Sequence, residues 1–367
     1  MIPVTILSGF LGSGKTTLLK RILNEKHGMK IAVIENEFGE ENIDNEILIQ
    51  NEGEQIVQMS NGCICCTIRG DLVRALSDLA ARKRSGEIAF DRIVIETTGL
   101  ANPGPVAQTF FMDSEIADEF LLDAIITLVD AKHSNAQLDE HEVAQRQVGF
   151  GDRLFITKSD LVDEATLADL RHRLVHMNPK APIKVVNFGD ADIKEIFDLR
   201  GFNLNAKLEI DPDFLAEHEH EHEHEHGHGH DHDHADGHDH EHDHAECDHD
   251  HGHCAHEGHV HDHHHAHHDD RIKSFVYRND RPFDPNRLED FLGGVLQIYG
   301  ERLLRYKGVL YMKDVDRKVV FQGVHQMMGS DLAAKWLPEE KKTNKMVFIG
   351  IDLPQDLITD GLDACLV

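Results

Sequence analysis

Eight residues near the start of the chain, Gly9-Phe10-Leu11-Gly12-Ser13-Gly14-Lys15-Thr16, have the spacing GxxxxGK[ST] of a phosphate-binding loop. Glycines at these positions let backbone N–H groups turn inward around phosphates, and a helix starting there adds the positive end of its dipole. Lys15 can reach the β and γ phosphates, and the Thr16 hydroxyl can ligate Mg²⁺; Gly9, Gly12, Ser13, Gly14 and Thr17 complete the expected cradle. In Arg92-Ile93-Val94-Ile95-Glu96 an acid ends an apolar run, which is where a second carboxylate of the Mg²⁺ shell belongs. Thr157-Lys158-Ser159-Asp160 follows another apolar run, and the aspartate can accept from N1–H and N2–H₂ of guanine, which adenine lacks. GTP is therefore the expected nucleotide.

A second chemistry lies between the loop and Glu96. Cys63, Cys65 and Cys66 form a CxCC cluster after Gly62 and can offer two or three thiolates to a soft ion. Zinc usually takes four ligands, so the cluster is incomplete alone. Glu35, Glu37 and Glu40 in Glu35-Asn36-Glu37-Phe38-Gly39-Glu40 are candidates to complete it. The same residues also fit blander roles: buried apolar thiols, a redox pair, or acids in a solvated loop. A third feature starts at Glu217. Residues 217–270 hold 24 of the 30 histidines and 18 acids, with no Lys or Arg. Imidazoles bind zinc, copper, nickel and cobalt, and the acids concentrate cations. This tract is expected to be a weak metal collector, with a merely solvating linker as the alternative; Cys247 and Cys254 can join its sites, and Cys365 reads as inert.

The elements that must position these groups alternate. Apolar runs at 3–7, 30–34, 92–95, 124–129, 153–157 and 183–186, with a weaker one at 56–59, are separated by helical periodicity over 16–24, 71–83 and 167–175. Short, nearly continuous apolar strands between helices predict an α/β fold, a mostly parallel sheet with helices on both faces. After the tract the rhythm changes: strands at 272–277, 303–312, 319–324 and 346–351, a helix opened by Asp284-Pro285 and another over 354–362 predict a smaller α+β domain. The expected divisions are 1–205, a disordered 206–271 that cannot bury enough apolar surface to order itself, and 272–367.

The formal charge is −30, of which −18 comes from 217–270. That argues against nucleic acid and anionic membranes as general partners, since both need clustered positive charge. No stretch reaches the roughly 18 apolar residues of a membrane span, and no secretion signal is visible, so the cytoplasm is expected. Three clustered cysteines in such a chain read as metal ligands before disulfides.

GFLGSGKTT, ENEFGE, NGCICC, IVIETTGLANPGP and TKSD, in this order, resemble the CobW-like family of metal-chaperone GTPases, and most closely its YjiA type. The resemblance spans almost the whole chain, including Leu304–Gly308, Phe321–Val324 and Met346–Gly350 in the last part. It implies slow GTP hydrolysis, zinc or cobalt bound at Cys63, Cys65 and Cys66 with Glu35 and Glu40, and delivery to a client metalloprotein. Thr157 departs from the asparagine common in guanine motifs, and CxCC does not choose between zinc, cobalt and nickel. Lys15, Thr16 and Glu37 are the candidate catalytic residues, Glu37 as the group that positions water. The reading is a GTP-hydrolysing metallochaperone, monomeric or homo-oligomeric. Its rivals are a metal store with a regulatory nucleotide domain, and a P-loop kinase.

Overall fold

The computed structural model describes residues 1–35, 68–202, 270–337 and 339–367. The chain separates into two units, Met1–Leu215 with His267–Val367, and Ala216–Ala266. The second unit, and with it nearly all of the histidine-rich tract, lies outside the described residues. So do Glu37, Glu40, Cys63, Cys65, Cys66, Cys247, Cys254 and the apolar run at 56–59.

The first 202 residues build a six-stranded parallel sheet in the order β2-β3-β1-β4-β5-β6. Its strands are β1 (Ile2–Gly9), β2 (Ile31–Glu35), β3 (Arg92–Glu96), β4 (Phe120–Asp130), β5 (Arg153–Thr157) and β6 (Ile183–Val185). Successive side chains of one strand enter opposite cores, as the period of two requires. Ala32, Ile34, Ile93, Ile95, Ile125 and Val129 pack on one face; Ile31, Val33, Val94, Ile126 and Leu128 pack on the other with α1 (Lys15–Asn24). The first face is covered by α2 (Ile68–Arg84), α3 (Pro103–Met112), α4 (Ser114–Glu119), α5 (Ser134–Glu140), α6 (Glu142–Phe150) and α7 (Glu164–Met177). The α/β expectation is met, with helices on both faces. Helices α3 to α6 were not legible as helices. Pro103 and Pro105 interrupt the pattern of α3, which Asn102 nevertheless caps by accepting from the Gly104 N–H at 3.0 Å.

The last part is a five-stranded antiparallel sheet in the order β10-β9-β8-β11-β7. It comprises β7 (Ile272–Asn279), β8 (Leu303–Leu310), β9 (Arg317–Val324), β10 (Met327–Lys335) and β11 (Asn344–Ile351). One face packs under α8 (Pro285–Tyr299) and α9 (Gln355–Ala364) through Tyr306, Phe321 and Phe348. The other sends Leu304, Val324, Val347 and Ile349 into the core of the first sheet, so the two domains share one apolar cluster. Cys365 is buried beside α9, and burial raises its thiol pKa, as befits an inert sulfur.

Buried charge fastens the same contact. Arg305 of β8 donates to the Phe150 carbonyl at 2.9 Å and the Gly201 carbonyl at 3.0 Å, pairs with Asp152 at 2.5 Å and lies over the Phe202 ring. His325, in a left-handed turn between β9 and β10, sets its ring edge-on to Phe150 and against Gly104, where a Cβ would come within 2.6 Å of Nε2.

Candidate functional site

The strands of a parallel sheet all end on one side, and there the loops with chemistry gather. β1 runs directly into the glycine-rich loop. Gly9, Gly12 and Gly14 have φ of 138°, 74° and 97°, angles that a side chain resists. At Gly9 space forbids one as well: a Cβ would lie 2.7 Å from Ser13 Oγ and closer still to the Leu128 carbonyl. The Lys15 ammonium is buried over the loop and donates to the carbonyls of Gly9 at 2.9 Å and Phe10 at 3.3 Å. Phe10 is braced from outside by the His141 ring, with centroids 4.9 Å apart.

Thr16 and Glu96 meet as the sequence spacing anticipates. The Thr16 hydroxyl donates to Glu96 Oε1 at 2.7 Å across 80 residues. Two oxygen donors thus converge at the N-terminal end of a helix, a hard set that fits Mg²⁺. Glu96 pairs in register with Leu7 on one side and Glu35 on the other, so Glu35 ends the neighbouring strand one ladder step away. Glu35 is the only member of the expected thiol-and-acid set among the described residues. No group of three or more His, Cys, Asp or Glu that could hold a metal ion occurs among those residues.

Thr157, Lys158 and Asp160 line the other wall. The Thr157 hydroxyl donates to the Ser13 carbonyl at 2.8 Å, tying the loop after β5 to the glycine-rich loop. Threonine in place of asparagine therefore still bridges these two loops. Lys158 has φ 56° and sends Nζ to Asp130 Oδ2 at 2.7 Å; His133 Nδ1 meets the same oxygen at 3.0 Å. Burial pushes the Asp130 carboxyl pKa up, but the hydrogen bonds from Lys158, His133 and the Lys132 N–H outweigh it, and the net shift is downward. Asp160 is exposed in the short turn Ser159–Leu161. Thr17 follows the loop on α1 and is exposed.

Two neighbours of the site were not apparent from sequence. Gln147 on α6 is buried and donates to the carbonyls of Gly99 at 3.1 Å and Ala101 at 3.0 Å, holding the strip after Glu96 in place. That strip packs on the phosphate loop, since a Cβ on Gly99 would lie 2.6 Å from the Leu11 nitrogen. The only trace in sequence is an amide on an otherwise apolar helical face with Ala144 and Val148. Phe188 follows β6 with φ 53° and is 81% exposed. Its loop is fixed on both sides. Asn187 bonds the Ser159 N–H at 3.0 Å and hydroxyl at 2.9 Å, and Gly189 abuts Thr17 and Leu18 at the start of α1.

Loop, carboxylate and parallel sheet together define a P-loop nucleotide-binding protein. The chain belongs to the CobW family: residues 3–185 match the CobW/HypB/UreG nucleotide-binding domain, and 272–366 match the cobalamin synthesis protein CobW C-terminal domain. It is 38% identical to the zinc chaperone YjiA of Escherichia coli K12, over 97% of this chain and 96% of that protein. It is 30% identical to the zinc chaperone CobW of Pseudomonas aeruginosa, over 100% of this chain and 92% of that one. The crystal structure of Zn(II)-bound YjiA GTPase from E. coli superposes with a TM-score of 0.71 at 33% identity, covering 100% and 99% of the two chains.

Proposed function

We propose that this protein is a GTP-hydrolysing metallochaperone that takes zinc at Cys63, Cys65 and Cys66, with Glu35 and Glu40, and hands it to a client metalloprotein. The coarse part of this reading, a GTPase of the zinc-chaperone kind, has the support of full-length relatives. The finer part rests on one observation. Glu35 and Glu96 are register partners on adjacent strands, and Glu96 bonds Thr16. A change at the phosphate loop is thus one hydrogen bond and one ladder step from an acid of the expected zinc set.

In this reading Lys15 neutralises charge that develops on the phosphates during hydrolysis. Thr16 and Glu96 would hold Mg²⁺, which supplies further charge neutralisation there. Asp160 accepts from guanine, Thr157 keeps that reader in register with the phosphate loop, and the Phe188 ring lies over the purine. Glu37 positions water. Zinc and GTP affinities are then linked, each altering the other by the same factor. The histidine-rich tract collects metal for the thiolates. Among the described residues no helix is long and apolar enough to cross a membrane; the cytoplasm is the proposed location.

Zinc titrations of the full chain with a non-hydrolysable GTP analogue, with GDP and without nucleotide test the reading. Affinity should differ between states, and substituting the three cysteines by serine should abolish the difference. Equal zinc affinity in all three states would end the chaperone mechanism and leave the metal-store alternative. Removing 217–269, which keeps the Asp270 partner of Arg173, should lower the number of metals bound and leave GTP affinity unchanged.

A further inference from the structure

The outer side of α7 carries two exposed histidines one turn apart, His172 and His176. Their ring centroids are 4.2 Å apart. Residues i and i+4 stand above one another on a helix, and two imidazoles at that spacing can present nitrogens to one metal ion. The backbone selects the tautomer of His176. Its Nδ1 lies 3.0 Å from the His172 carbonyl oxygen. A carbonyl only accepts, so Nδ1 carries the proton and the lone pair of the neutral ring sits on Nε2. Ligand histidines are oriented in this way, one nitrogen donating to a carbonyl and the other turned to the ion.

The position favours a cation in other respects. His176 is in the last turn of α7, at the negative end of the helix dipole. The Ser274 hydroxyl donates to the His176 carbonyl at 3.0 Å, which fixes that turn to β7. Arg173, between the two histidines in sequence, is buried and does not add an open positive charge. It pairs with Asp139 and Asp270, both at 2.6 Å. Asp270 is also the last residue of the histidine-rich tract in the sequence. The helix bearing the pair is thus the one to which the end of the tract is fastened.

We infer that His172 and His176 form a surface site for a divalent transition metal of the zinc, nickel or copper class, with water completing the coordination. Two imidazoles without thiolate make it a weaker and faster-exchanging site than one built from cysteines. The site itself stands on the geometry of α7. Its use as a fixed station for metal gathered by the tract rests on the metallochaperone reading.

Acylation of the full-length chain by diethyl pyrocarbonate, read at each histidine by mass spectrometry with zinc as the only added metal, tests this. Labelling of His172 and His176 should fall together along one zinc titration, while His133 keeps its rate. In His176→Gln, loss of one of the two ligands should move protection of His172 to zinc concentrations at least about tenfold higher. Absence of protection at either ring, separate midpoints for the two, or unchanged protection of His172 in His176→Gln would overturn the assignment. No nucleotide is present in this experiment, so its failure leaves the GTPase reading intact. Conversely, equal zinc affinities across nucleotide states would not touch the pair.

Discussion

Among the described residues, two sets of polar groups are built differently. Around the phosphate loop, bonds bridge distant elements: Thr16 to Glu96, Thr157 to Ser13, Lys15 to two loop carbonyls. Lys15, Thr16 and Glu96 are groups whose partners here a nucleotide or its Mg²⁺ could take over, while the Thr157 tie would remain. At the contact between the two sheets, charge is locked in by several partners at once. Arg305 meets two carbonyls, a carboxylate and a ring, and Arg173 meets two carboxylates and an asparagine. The first set faces the glycine-rich loop; the second is saturated by partners inside the fold. The contrast separates ligand-facing polarity from structural polarity without reference to any relative.

Substitutions can break that contrast or sharpen it. The largest effect is expected on the saturated side. Arg305→Ala strands Asp152 in the interior and should cost about 3–5 kcal/mol of stability by denaturant titration; a loss within error would remove the distinction. Lys15→Ala should reduce GTP turnover about 10²- to 10³-fold with an unfolding midpoint near that of the unaltered chain. A matching collapse of stability would make Lys15 structural. Thr157→Ala should weaken GTP by about 1 kcal/mol, or roughly fivefold, in fluorescent-nucleotide titrations. Thr157→Asn should restore most of that if the tie to the Ser13 carbonyl is what matters. Phe188→Ala should cost about 1 kcal/mol in the same assay if its ring stacks on the base, with stability unaffected because the ring is exposed.

The smallest effect concerns pH. Burial holds the His325 imidazole pKa below its ordinary value of 6.5, against hydrogen bonding to the Gly300 carbonyl that favours the proton; the Arg146 charge adds to the depression. The unfolded chain therefore binds this proton more readily than the folded one. Stability from this group is complete above pH 6.5 and declines as pH falls from 6.5 towards the depressed value. His325→Gln should flatten that part of the profile of melting temperature between pH 7.5 and 5.5. An unchanged slope would show that the ring is not held neutral at the contact.

The phosphate loop was fully legible because its chemistry is local: glycine angles, Lys15 and Thr16 sit within eight residues. The placement of Glu96 and Asp160 at the ends of parallel strands was legible because each follows an apolar run. Strand β10 was not. Met327–Lys335 has weak strand propensity and no clean alternation, and it is an edge strand held by a single neighbour, β9. Gln147 and Phe188 escaped for another reason. Gln147 acts through Gly99, 48 positions away, and the loop of Phe188 is held through its neighbours Asn187 and Gly189 against Ser159 and the start of α1; no spacing rule encodes those. The thiol cluster and Glu37 and Glu40 remain readings of the sequence alone.

Phe202 and Asp270 belong to the same folded unit, so everything between them is an insertion anchored at both ends. For a flexible loop whose ends are fixed, closure entropy grows only as the logarithm of length, about 0.6 kcal/mol for each doubling. Histidines can therefore be gained or lost by repeat slippage with almost no penalty to the enzyme that carries them. If the tract collects metal as proposed, its capacity can be tuned separately from nucleotide chemistry.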